Sequence, residues 1–387
     1  MRIFLLMRAK RRSLYVCMPL LLAICLMLVQ EVQAQGIVKR AIVLSNPHSV
    51  ALHQGQLIHS GAAPASAAIR PTNNSFVDTI PFWGSDFTFN SNVYPFQMVG
   101  TDPSQQASTT SIATEIIPLN VVFADGVALD GTQKVAPTVA SPIFQKADFS
   151  SGNTQYGDAI QRAEFWKTIS AQNPNYHVVL RSPKVFSTFT LHVPASMGVE
   201  GVSKRTGSTV GEIDIDWFDL QLQTLLSSLK ISPRTLPIFL TYNTFLYTNF
   251  NPSQCCIMGY HAELAKTSAS GRSSIYTYIY STYSDAGLFG TFPIADVSAL
   301  SHEVSEWYND PFTDNQTPTW SSPLAPQYGC NSYLEVGDPL VGIGFTVNGY
   351  NLQDEAFYSW FAKQPISLGI NGQFTYLNSF STPSPTC

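Results

Sequence analysis

The sequence predicts an α+β fold, because strand-like runs dominate the middle of the chain and few helical patterns interrupt them. Beyond Phe76, aromatic and β-branched runs are separated by Gly, Pro, Asn and Asp, which is typical of β-strands. The predicted strands are 114–123, 177–181, 187–193, 236–247 and 274–283. Helical spacing of apolar residues predicts helices over 156–169 and 215–229, and a third between Asp296 and Pro311.

Composition narrows the class of protein before any motif is considered. Only 12% of the 387 residues are charged, whereas about 25% is usual for soluble proteins, and such a surface is typical of extracellular proteins. The formal charge of -5 offers no basic excess with which to capture nucleic acid or an anionic membrane. Neither is expected as a partner.

The first 34 residues have the pattern of a secretory signal peptide. Basic residues up to Arg12 precede an apolar run over 14–29, and small residues at 32–34 offer a cleavage site. The apolar run is shorter than the roughly 20 residues that span a bilayer, so no membrane association is expected after cleavage. We expect a secreted or periplasmic protein with a leader or flexible arm over 35–75, a β-rich region over 76–205 and a C-terminal region over 206–387.

Four cysteines remain after the expected cleavage, and an even set in an oxidising compartment predicts disulfides. They are Cys255, Cys256, Cys330 and Cys387. We expect the two adjacent cysteines not to bond each other. At least one of them should therefore be bonded to Cys330 or Cys387.

The helix predicted between Asp296 and Pro311 separates an apolar face from an ionisable one. On a helical wheel, an arc of roughly 100° holds the apolar residues Val297, Leu300, Val304, Trp307 and Tyr308. The other side holds His302, Glu303, Glu306 and Asp310. Residues at i and i+4 lie one turn apart, so His302 and Glu306 can bind one metal ion while Glu303 projects beside them.

The segment His302-Glu303-Val304-Ser305-Glu306 resembles the H-E-x-x-H helix of zincin metallopeptidases, with glutamate in place of the second histidine. It is more similar to secreted zincin-like proteins with H-E-x-x-E, which include the phosphate-induced EXORDIUM-like family. Three further segments resemble elements of those proteins: Cys256–His261 a cysteine-glycine-aromatic-histidine segment, Glu335–Asp338 an E-x-G-D element, and Tyr350–Trp360 a closing helix.

The resemblance implies a zincin-like α/β C-terminal half with the β-rich N-terminal half packed on it. It also implies a zinc ion bound by His302, Glu306 and a third protein ligand, with Glu303 as general base. Glu335 is the first choice for the third ligand, and Asp338 and His261 come next.

Two other acidic groups need an interpretation. Asp310 lies two turns from His302, so an orienting or helix C-terminal role suits it better than direct ligation. Calcium is the alternative ion, since Asp214, Asp216 and Asp219 look like a calcium loop. Carboxylates are, however, favoured at the start of any helix by its dipole.

These residues predict a secreted metal-dependent hydrolase of the zinc metallopeptidase type, acting on a peptide or a cell-surface polymer. The carboxylate of Glu306 should make the metal a weaker Lewis acid than a second imidazole would. The alternative is therefore a catalytically silent extracellular or envelope binding protein with a structural metal. A glycosidase using Glu335 with Asp338, or Glu303 with Glu306, would need carboxylates about 5 to 9.5 Å apart.

Overall fold

Strand 109–122 organises the fold, because five strands between residues 128 and 242 pair with it. The computed structural model describes residues 41–42, 77–105, 107–268, 273–324, 326 and 329–387. The predicted signal peptide lies outside the described residues, as does the predicted arm apart from residues 41–42. The described residues are 21% helix and 39% strand, which confirms an α+β fold dominated by sheet.

The strands, in chain order, are β1 (Ala41–Ile42), β2 (Phe82–Phe89), β3 (Asn92–Val99), β4 (Thr109–Val122), β5 (Ala128–Asp130), β6 (Ala147–Phe149), β7 (Gly152–Thr154), β8 (His177–Leu180), β9 (Lys184–Val185), β10 (Phe189–His192), β11 (Gly198–Ser203), β12 (Thr209–Asp214), β13 (Thr235–Tyr242), β14 (Thr244–Tyr247), β15 (Cys255–Ile257), β16 (Gly259–Thr267), β17 (Ser273–Tyr283), β18 (Gln316–Trp320), β19 (Asn331–Tyr333), β20 (Gly344–Val347) and β21 (Tyr350–Gln353). The helices are α1 (Val135–Ala140), α2 (Tyr156–Glu164), α3 (Trp166–Ala171), α4 (Ile215–Ser228), α5 (Ser298–Asn309) and α6 (Tyr358–Phe361).

The larger sheet has eight strands with the central order β10-β4-β13-β17-β16. Strands β4, β13 and β17 are mutually parallel, and β16 pairs antiparallel with β17 at the end of this order. The smaller sheet has the order β1-β11-β12-β14-β15. The predicted boundary between 205 and 206 falls in the loop between β11 and β12, which pair antiparallel. The described residues from 41 onward form one compact unit.

The predicted strand 236–247 is two strands in different sheets. Strand β13 belongs to the larger sheet and β14 to the smaller one. They separate at Asn243, whose φ of 47° leaves the extended region. The Asn243 side chain accepts a hydrogen bond from the Asp285 backbone at 2.9 Å, so the turn is held by a polar contact that a hydrophobic pattern does not reveal.

Alternation along the strands sends neighbouring side chains into two separate cores. Phe239 packs in the core that includes α4, whereas Ile238 and Leu240 pack in the core that includes α2 and α5. The same period places Tyr260 of β16 in the α4 core. His261, the next residue, therefore faces the side of the sheet on which α5 packs.

The long predicted helix is α4, and its acidic residues have structural roles. Asp214 caps the helix by accepting a hydrogen bond from the Trp217 backbone at 3.2 Å. Asp219 accepts hydrogen bonds from the hydroxyls of Tyr260 and Tyr278, each at 2.7 Å. These contacts agree with the interpretation of the acidic run as a helix start.

The predicted closing helix over 350–360 is wrong. Residues 350–353 form β21, which pairs antiparallel with β20, and only Tyr358–Phe361 is helical. A strand suits this segment because Leu352 is buried and Tyr350 and Asn351 are only partly buried, a pattern that belongs to a sheet hairpin.

The predicted cysteine pairing is also wrong. Cys255 is bonded to Cys256, and Cys330 is bonded to Cys387. The peptide bond between the adjacent cysteines is cis, and their Cα atoms lie 3.1 Å apart. Among the described residues, none of the helices is both long enough and apolar enough to cross a bilayer.

Candidate metal centre

Helix α5 carries the predicted apolar face into the core and buries the opposite face as well. Val304 and Trp307 pack in the core shared with α2, as predicted. Every residue from Ser298 to Asn309 is buried, including His302, Glu303 and Glu306. A solvated polar face, the ordinary alternative for a charged helix, is therefore excluded.

Two glycines allow backbone to approach the ionisable face closely. A Cβ atom at Gly259, the first residue of β16, would lie 2.7 Å from Cγ of Glu303. A Cβ atom at Gly337 would lie 2.5 Å from Nδ1 of His302. Both distances are far inside van der Waals contact, so side chains at these positions would displace the two site residues.

The first group of candidate ligands contains His302, Glu306 and Asp338. Nε2 of His302 lies 3.0 Å from Oε1 of Glu306, one helical turn away, and 3.7 Å from Oδ1 of Asp338. All three ligand atoms lie within 4.8 Å of one another. Asp338 begins a single 3-10 turn, Asp338–Leu340, and its side chain is 21% exposed.

The second group contains His261, Glu303 and Glu306. Nδ1 of His261 lies 3.6 Å from Oε2 of Glu303 and 3.5 Å from Oε2 of Glu306. His261 is fully buried, and neither of its ring nitrogens has a hydrogen-bond partner among the described residues. Glu306 is thus shared, with one carboxylate oxygen near each imidazole.

Glu335, the preferred third ligand in the sequence, belongs to neither group of described residues. It is buried close to the cluster, and neither of its carboxylate oxygens has a hydrogen-bond partner among the described residues. Asp310 ends α5, where its carboxylate accepts hydrogen bonds from the backbone of Asp314 and Asn315 at 3.0 and 3.1 Å. This is the helix C-terminal role predicted for it.

Gln353, at the end of β21, orients His302. It was not among the site residues predicted from the sequence. Its amide nitrogen lies 2.8 Å from Nδ1 of His302 and donates to the Gly337 carbonyl at 2.8 Å. These contacts hold the ring with Nε2 toward Glu306. The erroneous helix prediction over 350–360 concealed this residue, because only a strand ending at 353 delivers its side chain to the site.

The cluster holds four acidic side chains and only two imidazoles. Burial opposes ionisation of the carboxyls, and together with the Glu306 carboxylate it raises the pKa of Glu335 and of Asp338 well above the usual range. For Glu306 burial acts in the same direction, but the imidazoles of His302 and His261 together outweigh it and lower the pKa to about 2. Burial also disfavours a charged His261, yet the carboxylates of Glu303 and Glu306 hold its pKa well above the usual value.

Comparison of the chain with protein-family models, curated proteins and solved structures finds no match in any of the three.

The residues present fit a divalent cation. Zinc is bound by imidazole nitrogen and carboxylate oxygen at about 2.0 to 2.2 Å in a tetrahedron, which places neighbouring ligand atoms about 3.3 to 3.6 Å apart. The separations of 3.0 and 3.7 Å around His302 bracket that range. Buried polar atoms without a partner cost about 1 to 3 kcal/mol each, and a cation would provide the missing partner.

Proposed function

We propose that the protein is an exported metal-dependent hydrolase of the metallopeptidase type. The observation that carries the proposal is the group of buried His302 and Glu306 with partly exposed Asp338, and Glu303 lies next to His302 on the same helix. His302, Glu306 and Asp338 would hold a zinc ion. Glu303 would act as general base, because its carboxylate can take the proton from an attacking water.

When bound, the ion supplies a Lewis acid that polarises the substrate carbonyl and favours ionisation of water. The chain's own residues do the remaining work. Gln353 fixes the His302 ring, and the Glu303 carboxylate receives one proton as the water oxygen adds to the carbonyl carbon. The same group then returns that proton to the leaving amine. Peptides are the expected substrates, with cell-surface polymers as the alternative.

Export is part of the proposal. Two disulfides among the described residues are compatible with an oxidising compartment, where such bonds persist. A signal peptide over residues 1–34 would deliver the chain there. N-terminal sequencing of the exported form should begin at Gln35, and an N-terminus at Met1 would contradict this step.

The test combines metal content with turnover in three forms of the protein. Wild type should bind zinc and hydrolyse casein or a peptide mixture. Glu303→Gln should keep the ion at His302 but lose turnover, whereas His302→Ala should lose that ion. Activity that is insensitive to Glu303→Gln would exclude the base, and negligible metal in all three forms would remove the site.

One observation favours the second candidate, a silent binding protein with a structural metal. Among the three proposed ligands and the proposed base Glu303, only Asp338 is partly open to solvent. His302, Glu303 and Glu306 are all buried. A substrate has little access to such a centre. In that case wild type should show no turnover, while removal of the metal should lower the melting temperature markedly.

A further inference from the structure

Glu306 lies between two imidazoles and presents a different oxygen to each. Its Oε1 is 3.0 Å from Nε2 of His302, and its Oε2 is 3.5 Å from Nδ1 of His261. Because a carboxylate can coordinate through both oxygens, one side chain in this position can bridge two cations. The two groups of candidate ligands share Glu306 and no other residue.

His261 has no role in a site with one ion at His302. It is fully buried on β16, and both ring nitrogens lack a hydrogen-bond partner among the described residues. A buried imidazole that completes no hydrogen bond is costly, and a cation between its Nδ1 and the two neighbouring carboxylates would satisfy it. The distances of 3.5 and 3.6 Å from Nδ1 to Glu306 and Glu303 match the roughly 3.3 to 3.6 Å between neighbouring ligand atoms of a bound zinc ion.

Formal charge is consistent with a second cation. The two ligand groups contain three carboxylates, those of Glu303, Glu306 and Asp338, and imidazoles that bind a metal are neutral. When all three carboxylates are ionised, a single divalent cation leaves a negative charge in a largely buried cluster, at a cost in solvation.

We propose that the site binds a second divalent cation, held by His261, Glu303 and Glu306, so that Glu306 bridges two ions. One imidazole with carboxylate oxygens suits zinc, manganese or ferrous iron. The inference rests on the proposed function, since it adds an ion to the same site.

The test uses the purified full-length protein, stripped of metal and titrated with Mn²⁺, and needs no activity. Equilibrium dialysis should find two ions per chain. Two bridged Mn²⁺ ions are magnetically coupled, so the electron paramagnetic resonance spectrum should lose the six-line pattern of an isolated ion. A six-line spectrum with one ion per chain would overturn the second site and leave the proposed function standing. The absence of any bound ion would contradict both the second site and the proposed function.

Variants locate the second ion. His261→Gln and Glu303→Gln should each reduce the stoichiometry from two to one and restore the six-line spectrum. His192→Gln, at an exposed position on β10, is the matched control and should keep two ions. Two ions retained in His261→Gln would also overturn the assignment. If His261→Gln fails to fold, the stoichiometry and spectrum of the wild-type protein still show whether a second ion is bound.

Discussion

The backbone at Gly337 lies directly against the imidazole of His302. A Cβ atom at 337 would be 2.5 Å from Nδ1 and 2.6 Å from Cε1 of that ring. The neighbouring Glu306 accepts a hydrogen bond from the Gly337 amide at 3.2 Å, so the segment cannot move away without breaking this contact. The absence of a side chain at 337 therefore allows the ring to lie in the position that Gln353 fixes, with Nε2 toward Glu306.

Gly337→Ala should weaken metal binding by about 10 to 100-fold, the usual cost of disturbing the groups that orient a ligand. Isothermal titration with Zn²⁺ measures the change. Gly84→Ala in the β2–β3 hairpin is the control, because its Cβ would come no closer than 3.3 Å to a neighbouring atom. Equal affinity of Gly337→Ala and wild type would show that the ring position does not matter for binding.

Asp338 and Glu335 can be separated as third ligands by a pair of isosteric variants. Asp338→Asn should lower zinc affinity by more than the roughly 10 to 100-fold expected of an outer contact. Glu335→Gln should stay within that range, because Glu335 lies outside the group that contains His302. The reverse ranking in the same titration would restore Glu335 as the ligand predicted from sequence.

The sequence alone was sufficient to predict the helices and strands whose residue pattern is local. The two faces of α5 follow from helical spacing, and buried strands such as β4 and β17 follow from apolar runs. The third ligand could not be predicted in this way. Whether Glu335 or Asp338 reaches His302 depends on the path of the chain between β19 and β20, which is set by packing between distant segments.

The wrong predictions also concern features that depend on contacts with other parts of the chain. Periodicity over 350–360 cannot reveal that residues 350–353 have a partner in β20. The break at Asn243 depends on a polar contact to Asp285 across the sheet. The bond between Cys255 and Cys256 joins two residues adjacent in sequence, a pairing that the spacing of the cysteines does not predict.

The buried carboxyl of Glu164 should make stability depend on pH. Burial raises its pKa to about 8, although the hydrogen bond from the Tyr358 amide acts in the opposite direction. The folded protein thus binds this proton more tightly than the unfolded chain, whose carboxyl titrates near pH 4.3. Stability should therefore fall as pH rises from about 4.3 to 8.

Glu164→Gln mimics the protonated acid and should flatten this dependence. Its melting temperature should exceed that of wild type at pH 8 and approach it at pH 5. Asp148→Asn at an exposed position is the control and should leave the wild-type slope unchanged. Thermal unfolding followed by circular dichroism between pH 5 and 8.5 measures both. A Glu164→Gln slope as steep as that of wild type would contradict the assignment.

The disulfide between Cys330 and Cys387 should stabilise the protein chiefly by restricting the unfolded chain. The two cysteines are 57 residues apart, for which the loop-entropy relation gives about 4 kcal/mol. The C-terminal segment also has its own contacts, since the Phe380 and Trp360 rings stack at 5.0 Å and the Ser384 amide donates to the Trp360 carbonyl at 3.1 Å. The variant without the bond should therefore still fold.

We expect the double variant Cys330→Ser/Cys387→Ser to lose about 4 kcal/mol of unfolding free energy in urea while it keeps the wild-type metal stoichiometry. The retained metal shows that the loss comes from the unfolded state and not from a distorted site. A loss below about 1 kcal/mol would mean that the unfolded chain is already restricted around these residues. A loss of metal together with stability would instead show that the bond helps to position the segment carrying Glu335 and Asp338, which begins five residues after Cys330.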